Sequence, residues 1–277
     1  MRVVQAELLS LTEVAPEHCL AVLACADVAQ QARPGQAVHL RCGDTYDPLL
    51  RRPISIADVS DDKRTLSLLF RVVGRGTRIL ANTAVGSAVD VLGPLGNGYN
   101  LSGIAAFAWR HERPIDIVLV AGGYGVGPVH FGARHLAQHR QRDQARLHAL
   151  LGAASADLLV FADELRALTD EAHITTEDGS RGRRGVVTDP LEELCESRSA
   201  DLVLCCGPTG MMRRVAEVCR EHGIPCQASL EAHMGCGVGA CLGCVIPVRG
   251  DGGIAYRRIC RDGPVFDAST VVWEALP

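Results

Sequence analysis

The chain has 277 residues, 47% hydrophobic and 22% charged, the balance of a folded soluble protein with room for two or three domains. Its net charge of −4 gives no electrostatic case for binding nucleic acid or an anionic membrane. The N-terminus carries Glu7 and no apolar signal segment, and no apolar run reaches the ~18 residues that span a bilayer. Twelve cysteines without a secretory signal favour a reducing, cytoplasmic compartment and metal or redox chemistry.

Residues 1–98 have the pattern of an all-β domain. Turn residues separate short apolar or alternating runs, which lie at 2–9, 18–26, 37–42, 54–59, 65–73 and 88–92. Six short strands at roughly even spacing predict a small antiparallel β-barrel. The glycine- and proline-rich sequence at 93–98 predicts the loop that ends this domain.

Two features of this predicted barrel are suited to a phosphate group. Arg52 precedes Pro53 in the sequence R-R-P-I-S-I, and an arginine fork matches a pyrophosphate, to which the Ser55 hydroxyl would add a donor. Further along, Thr77 follows Gly76 and is predicted to cap a helix over 78–84, whose free amides would attract phosphate. The alternatives are solvated arginines at the start of a strand and an ordinary capped helix.

Residues 113–228 change to an α/β pattern. An apolar run at 115–121 predicts a buried parallel strand, a glycine-rich loop follows at 122–128, and a helix is predicted from Val129 to Arg142. Strand, glycine loop and helix in this order are typical of a nucleotide-phosphate turn. The alternation predicts a doubly wound α/β domain. Its further strands are predicted at 145–151, 173–176, 202–206 and 224–228, and its further helices at 156–168, 191–197 and 210–222.

Two loops follow strands of this domain. The polar, glycine-containing loop at 177–182 and the C-G-P-T-G-M loop at 206–211 both lie where ligands bind in such sheets. The second loop could face a nicotinamide. Ordinary connections between elements are the alternative for both.

The last segment, 229–277, concentrates cysteine and glycine. Cys236, Cys241 and Cys244 form C-x4-C-x2-C, and Cys260 follows a predicted hairpin, which is the spacing of plant-type [2Fe–2S] ligands. The interleaved glycines would let main-chain amides approach the sulfurs. A structural zinc site, which usually shows two short cysteine pairs, and ordinary buried thiols are the alternatives.

With these residues in view, the whole chain resembles the electron-transfer subunits of dihydroorotate dehydrogenase B, within the ferredoxin–NADP reductase superfamily. The resemblance implies an FAD-binding β-barrel over 1–98, an NAD-binding α/β domain over 113–228 and a [2Fe–2S] segment over 229–277. The motifs that carry it include R-R-P-I-S-I at 51–56, A-G-G-Y-G-V-G-P at 121–128, C-G-P-T-G-M at 206–211, the cysteine-rich 229–244 and C-R-D-G-P-V-F at 260–266.

The resemblance also implies roles for individual residues. The flavin and its pyrophosphate would be held by Arg52, Pro53, Ile54, Ser55, Leu69, Phe70, Arg71, Gly76 and Thr77. The NAD site would be shaped by Gly122, Gly123, Gly125, Cys206, Gly207 and Pro208. The cluster ligands would be Cys236, Cys241, Cys244 and Cys260. No residue is expected to be catalytic through proton transfer.

The partner implied is an FMN-containing subunit that oxidises dihydroorotate, in a heterotetramer with two copies of each chain. Electrons would pass singly to the cluster, then to FAD, and leave as hydride to NAD⁺. The alternatives are a related FAD and [2Fe–2S] reductase subunit of another complex, such as a sulfite reductase, hydrogenase or ferredoxin–NADPH system, and a zinc-binding regulator.

Overall fold

The computed structural model describes residues 1–101, 113–139, 144–197, 199–250 and 252–276. The chain forms two compact units, and each is built from two separate stretches of sequence. The first unit comprises Met1–Gly98 and Leu230–Val265, and the second comprises Tyr99–Ser229 and Phe266–Pro277.

The first unit contains a barrel of six strands. They are β1 (Arg2–Ala15), β2 (His18–Ala24), β3 (Ala37–Leu40), β4 (Arg52–Val59), β5 (Thr65–Arg71) and β6 (Ala88–Leu95). The barrel is closed and antiparallel, in the order β1-β2-β5-β4-β3-β6, which confirms the prediction. Successive residues of a strand face opposite sides, so that alternate side chains such as Leu66 and Leu68 are fully buried.

Several boundaries in the barrel differ from the prediction, and β1 continues to Ala15, beyond the predicted end at residue 9. The helix predicted over 78–84 is α2 (Arg75–Ala81), which follows the short α1 (Ala26–Ala29) in chain order and begins earlier than expected. Thr77 does not cap it from outside, because its hydroxyl lies in the first turn and accepts the amides of Val73 and Gly74 at 3.0 and 3.2 Å. The predicted loop at 93–98 is shorter, since β6 continues to Leu95.

The second unit is built on a seven-stranded sheet. Its strands are β7 (Ile115–Gly122), β8 (Ala145–Ala153), β9 (Glu171–Thr176), β10 (Arg183–Arg184), β11 (Leu202–Cys206), β12 (Cys226–Ser229) and β15 (Val265–Asp267), in the order β10-β9-β8-β7-β11-β12-β15. The central strand β7 is buried at all eight positions, which explains its nearly uninterrupted apolar sequence. Its parallel partners β8 and β11 lie on either side, so the strand order reverses between β7 and β11.

A two-stranded hairpin follows the cysteine-rich loop in the first unit. It consists of β13 (Val245–Gly250) and β14 (Gly253–Arg258), as the sequence predicts, and residue 251 of its turn lies outside the described residues. The hairpin returns the chain, so that Ile259 donates its amide to the carbonyl of Cys244 at 3.0 Å. Cys260 is thereby brought beside Cys244.

Four helices accompany the sheet in the described part of the second unit. They are α3 (Val126–His139), α4 (Ala162–Leu168), α5 (Thr188–Glu196) and α6 (Thr209–His222). The first two pack on β7, β8, β9 and β11, whereas α5 pairs with α6, which packs on β11 and β12. This arrangement confirms the doubly wound prediction. The end of the first predicted helix, at Arg142, lies outside the described residues.

Several elements of the second unit differ from the prediction: α5 begins at Thr188 and not at residue 191, and β15 was not predicted. The helix predicted over 156–168 is a short 3-10 turn, Ala156–Leu158, and then α4, because Phe161 adopts φ +59° between them. The short strand β10 follows the loop at 177–182 and was not predicted. No helix in the described part of the chain is long and apolar enough to cross a membrane.

A buried carboxylate joins β7 and β8 in the second unit. Asp116 is 1% exposed and accepts from His148 Nε2 at 2.8 Å, Arg146 Nε at 2.9 Å and Arg113 Nη1 at 3.1 Å. Burial raises the pKa of Asp116, but the hydrogen bonds from His148 and Arg146 outweigh it and leave the pKa below its ordinary 3.8. The network therefore stabilises the folded state with Asp116 ionised.

We expect Asp116→Asn to lower the free energy of unfolding by about 3 kcal/mol at pH 7, because the buried His148 and both arginines lose a charged partner. Since the folded-state pKa of Asp116 is depressed, this contribution is present above pH 3.8 and is lost as pH falls through the lower, folded-state value. Thermal unfolding of both proteins between neutral and acidic pH measures the difference.

Glu217→Gln is the control, because it breaks an exposed helix pair with Arg213 in the same unit and should cost less than about 1 kcal/mol. An equal decrease in the free energy of unfolding in the two variants at neutral pH would contradict a stabilising role for the buried carboxylate of Asp116.

Candidate cofactor sites

The predicted flavin residues of β4 and α2 lie side by side in the first unit. A Cβ on Gly76 would lie 2.6 Å from Arg52 Nε, so the guanidinium passes directly over this glycine in the first turn of α2. Arg52 Nη1 also donates to the carbonyl of Leu50 at 2.6 Å, and Thr77 is buried next to Gly76. The barrel thus brings together two motifs that are separate in sequence.

The other predicted flavin residues lie on the paired strands β4 and β5. Ile54, Leu69 and Phe70 are buried, and Pro53 and Ser55 are partly exposed. These five residues remain candidates for the flavin-binding site.

Arg71, the last residue of β5, is exposed and pairs with Glu17 at 3.0 Å. Its guanidinium is therefore engaged on the barrel surface in this structure. An arginine in a surface pair is held weakly and can be redirected to a phosphate at small cost.

The two loops predicted to shape the NAD site meet at the ends of β7 and β11. A Cβ on Gly125 would lie 2.6 Å from the carbonyl carbon of Cys206 and from Gly207 Cα, so only glycine lets these main chains touch. Gly123 in the first loop adopts φ +54°. The meeting point lies where the strand order reverses, which is the position at which doubly wound sheets bind nucleotides.

A methionine that the prediction did not include packs against this meeting point. A Cβ on Gly122 would clash with Met211 Sδ, and one on Gly207 would lie 2.7 Å from Met211 Cε. Pro208 directly precedes α6, so the helix starts at the loop. Met211 belongs to the motif at 206–211, but its packing role depends on the neighbouring strand, which the motif does not reveal.

The loop at 177–182 is fixed by side-chain hydrogen bonds. Thr176 Oγ1 donates to the carbonyl of Arg181 at 2.9 Å, and Ser180 Oγ accepts the amide of Ala156 at 2.8 Å. Arg181 also pairs with Asp163 at 2.6 Å. The loop is thereby ordered next to β9 and leads into β10.

The cysteine-rich loop directs its main-chain amides at a sulfur. Cys236 Sγ accepts the amides of Val238 at 3.4 Å, Ala240 at 3.3 Å and Cys241 at 3.4 Å. Gly243 similarly donates to Cys241 Sγ at 3.4 Å. Such amides stabilise negative charge on sulfur, which is the charge that a metal-bound thiolate carries.

The cysteine pKa values differ between the loop and the distant ligand. Desolvation disfavours the Cys236 thiolate, but the amides of Val238, Cys241 and Ala240 outweigh it and lower the pKa to about 6. Burial, together with the neighbouring Cys244, raises the pKa of Cys260 to about 12. Of the two thiols, Cys236 is therefore the one that ionises readily near neutral pH.

An arginine outside the predicted set holds the two cysteine segments together. Arg258 Nη1 donates to the carbonyl of Gly239 at 3.2 Å, while its Nε and Nη2 donate to Asp262 at 2.9 and 3.0 Å. Gly239 lies within the loop of three cysteines, and Asp262 lies just beyond Cys260. The sequence did not predict these hydrogen bonds of Arg258, since an arginine at the end of a strand is usually solvated.

The loop fits a [2Fe–2S] cluster by its chemistry and its shape. Gly237 and Gly239 adopt φ +70° and +80°, and a Cβ on either would lie within 2.8 Å of a neighbouring side chain. Within the described residues no three His, Cys, Asp or Glu side chains converge as a single metal ion would require. A two-iron cluster does not need that convergence, because its four thiolates are divided between two irons.

Two family models match parts of this chain. Residues 231–272 match the family model described as the iron-sulfur cluster binding domain of dihydroorotate dehydrogenase B. Residues 119–217 match the oxidoreductase NAD-binding domain. The two matches contain the four predicted cluster ligands and both loops of the candidate NAD site.

Two solved structures are similar in fold. A chain of an NADH-dependent reduced ferredoxin–NADP oxidoreductase is 29% identical, with TM-score 0.81, and the alignment covers 99% of this chain and 91% of that one. A ferredoxin NADP⁺ reductase from Neisseria gonorrhoeae with bound FAD and NADP is 14% identical, with TM-score 0.63, covering 80% of this chain and 92% of that one. The second likeness shows the fold alone.

Proteins with similar sequences identify the family to which this chain belongs. A protein of Desulforamulus reducens named dihydroorotate dehydrogenase B (NAD(+)), electron transfer subunit, is 38% identical over 99% of both chains. A protein of Shouchella clausii with the same name is 40% identical over 94% of this chain and 95% of that one. The chain therefore belongs to the family of dihydroorotate dehydrogenase B electron-transfer subunits.

Proposed function

We propose that this chain carries electrons from a dihydroorotate-oxidising partner subunit to NAD⁺. The observation that carries the proposal is the loop whose amides converge on Cys236 Sγ, combined with Cys260, which the hairpin returns to Cys244. When bound, a [2Fe–2S] cluster would accept single electrons, and FAD would pair them for hydride transfer to NAD⁺.

The residues of the chain would bind and position these groups. The amides around Cys236 would favour the electron-rich cluster. Arg52 would donate its guanidinium to the FAD pyrophosphate, with Thr77 fixing the adjacent turn. The proposed reaction requires no acid–base pair from the chain, since hydride transfer to NAD⁺ needs orientation and exclusion of water. The four thiolates would come from Cys236, Cys241, Cys244 and Cys260.

The NAD⁺ site is proposed at the meeting of the two glycine-containing loops. Gly122, Gly123 and Gly125 would leave main-chain amides open to the dinucleotide phosphates at the start of α3. The nicotinamide ring can lie against the main chain of the opposite wall. That wall would be formed by Cys206, Gly207 and Pro208.

The same proposal assigns a function to each segment of the chain and implies a partner subunit. We assign FAD binding to 1–98, NAD binding to 113–228 and cluster binding to 229–277. A family of electron-transfer subunits implies a catalytic partner, which we propose to be an FMN-containing subunit in a complex with two copies of each chain, in the cytoplasm. The FAD-site set is completed by Pro53, Ile54, Ser55, Leu69, Phe70, Arg71 and Gly76.

We expect Cys241→Ser to abolish the visible absorbance of the cluster and dihydroorotate-dependent NAD⁺ reduction by the complex with its catalytic subunit. Serine is a poor replacement for a thiolate on iron. Iron content and the visible spectrum measure the first effect, and the assay measures the second. Cys19→Ala, at a buried thiol of the barrel, is the matched control and should keep both.

Retention of iron and colour by Cys241→Ser would show that this ligand is wrongly assigned. A wild-type chain that reduces NADP⁺ from ferredoxin, and gives no dihydroorotate-dependent activity, would favour a reductase subunit of another complex instead.

We expect Arg52→Ala to weaken FAD retention about tenfold or more, because its guanidinium lies over the first turn of α2, where the pyrophosphate is proposed to bind. The flavin-to-protein ratio after dialysis measures this, with the iron content as an internal reference. Arg64→Ala, at an exposed position just before β5, is the charge-matched control. Stoichiometric flavin in dialysed Arg52→Ala would exclude the proposed contact.

We expect Gly125→Ala to raise the KM for NADH about tenfold or more, because the new methyl group would force the main chains of Cys206 and Gly207 away. NADH oxidation with an artificial electron acceptor measures this without the partner subunit. Gly132→Ala, in α3 with only ordinary contacts around its Cβ position, is the matched control. An unchanged KM in Gly125→Ala would place the dinucleotide elsewhere.

A further inference from the structure

One histidine in the barrel has a position that the predicted motifs do not explain. His39 lies in β3 and is 0% exposed. Its neighbours across the sheet are Pro53 of the predicted FAD motif on one side and Leu92 of β6 on the other. The strand therefore places an imidazole next to the FAD-binding motif, inside the wall of the barrel.

Neither ring nitrogen of His39 makes a hydrogen bond of good geometry among the described residues. Main-chain groups of Arg51 and Met234 lie close enough to raise the pKa of His39, but burial outweighs them and lowers it to about 4. Arg51 Nη1 donates to the main-chain carbonyl of His39 at 3.3 Å, and that bond does not satisfy the ring. The ring is therefore neutral near pH 7 and carries one N–H donor and one acceptor nitrogen.

A buried donor without a well-aligned partner is costly, and native proteins rarely leave one. His18, a second buried histidine of the barrel, shows the ordinary solution, since its Nδ1 lies 2.7 Å from the carbonyl of Pro16. His39 lacks an acceptor placed as well as this within the part of the chain described. Its partner is therefore expected to be a group that binds next to it.

The contacts of the ring point to the cysteine-rich loop. A Cβ on Gly237 would lie 2.6 Å from His39 Nδ1 and 3.4 Å from Cγ, so the imidazole edge touches the main chain of the cysteine loop. Gly237 adopts φ +70° there and directly follows Cys236, whose sulfur is the centre of the converging amides. The unsatisfied edge of the ring thus faces the loop that would cradle the cluster.

We propose that His39 is a positioning residue that packs under Gly237 and donates its ring N–H to a sulfur of the bound cluster, linking the FAD-binding strand to the cluster loop. This rests on the proposed function, because it requires the cluster. The bond would add a side-chain donor to the main-chain amides of the loop. Hydrogen bonds to the sulfurs help to set the reduction potential, and a donor stabilises the reduced, more negative cluster, so His39 would help it accept electrons.

Redox titration of His39→Leu and His39→Gln tests the proposal in the assembled complex. Leucine fills similar space without a donor, and glutamine keeps an N–H donor. We expect His39→Leu to keep its iron and FAD but to lower the equilibrium constant for cluster reduction about tenfold, which is about 59 mV for one electron. His39→Gln should recover part of that shift, and the FAD potential should change less than the cluster potential.

His18→Leu is the matched control, because it removes a buried barrel histidine that already has a protein partner. It should leave the cluster potential unchanged even if it lowers stability. An unchanged cluster potential in His39→Leu with full iron content would overturn the proposal, and so would a shift confined to FAD.

A measurement on the unmutated protein covers the case in which His39→Leu fails to fold. Electron–nuclear double resonance of the reduced wild-type cluster, with ¹⁵N in histidine only, should show a ¹⁵N coupling and an exchangeable proton. A ring that instead turns to the main chain of Met234 would give no such coupling, and that result would exclude the proposed bond. Absence of the cluster itself would instead contradict the proposed function.

Discussion

Close approach of the main chain to sulfur is the constraint on which the candidate cluster site depends. Amide donors reach Cys236 Sγ only because the loop turns tightly, and Gly237 and Gly239 supply the left-handed turns. The same tightness presses the loop onto its surroundings, with Gly237 against His39 and Gly239 against Arg261. A side chain at either glycine would open the loop. The shape of the loop and its packing against the barrel therefore depend on the same two glycines.

In the second unit, too, the candidate site depends on close approach of main-chain segments. A parallel sheet buries β7 on both faces, and the strand order reverses between β7 and β11. Gly125 lets the two loops at the ends of these strands touch, and Met211 packs against their glycines. Backbone contact therefore shapes both candidate sites, which leaves main-chain amides as the principal donors to negatively charged groups.

Residues that link segments were the hardest to anticipate. Arg258 joins the loop at Gly239 to the turn at Asp262, and a lone arginine at the end of a strand gives no sign of this. His39 lies in a short barrel strand, where a buried histidine usually has a partner within the barrel. Thr77 was expected outside its helix, but it lies in the first turn, because a hydroxyl can accept the preceding amides from there.

The sequence by itself determined the barrel, the doubly wound domain and the spacing of the four cysteines, because strand alternation, buried apolar runs and ligand spacing are local properties. The sequence did not predict the helix break at Phe161, since a positive φ at a non-glycine residue depends on packing. Only the tertiary structure decided that Arg52 lies over Gly76 and that His39 lies under the cysteine loop. Those contacts join distant parts of the chain, and their geometry exists only once the strands have paired.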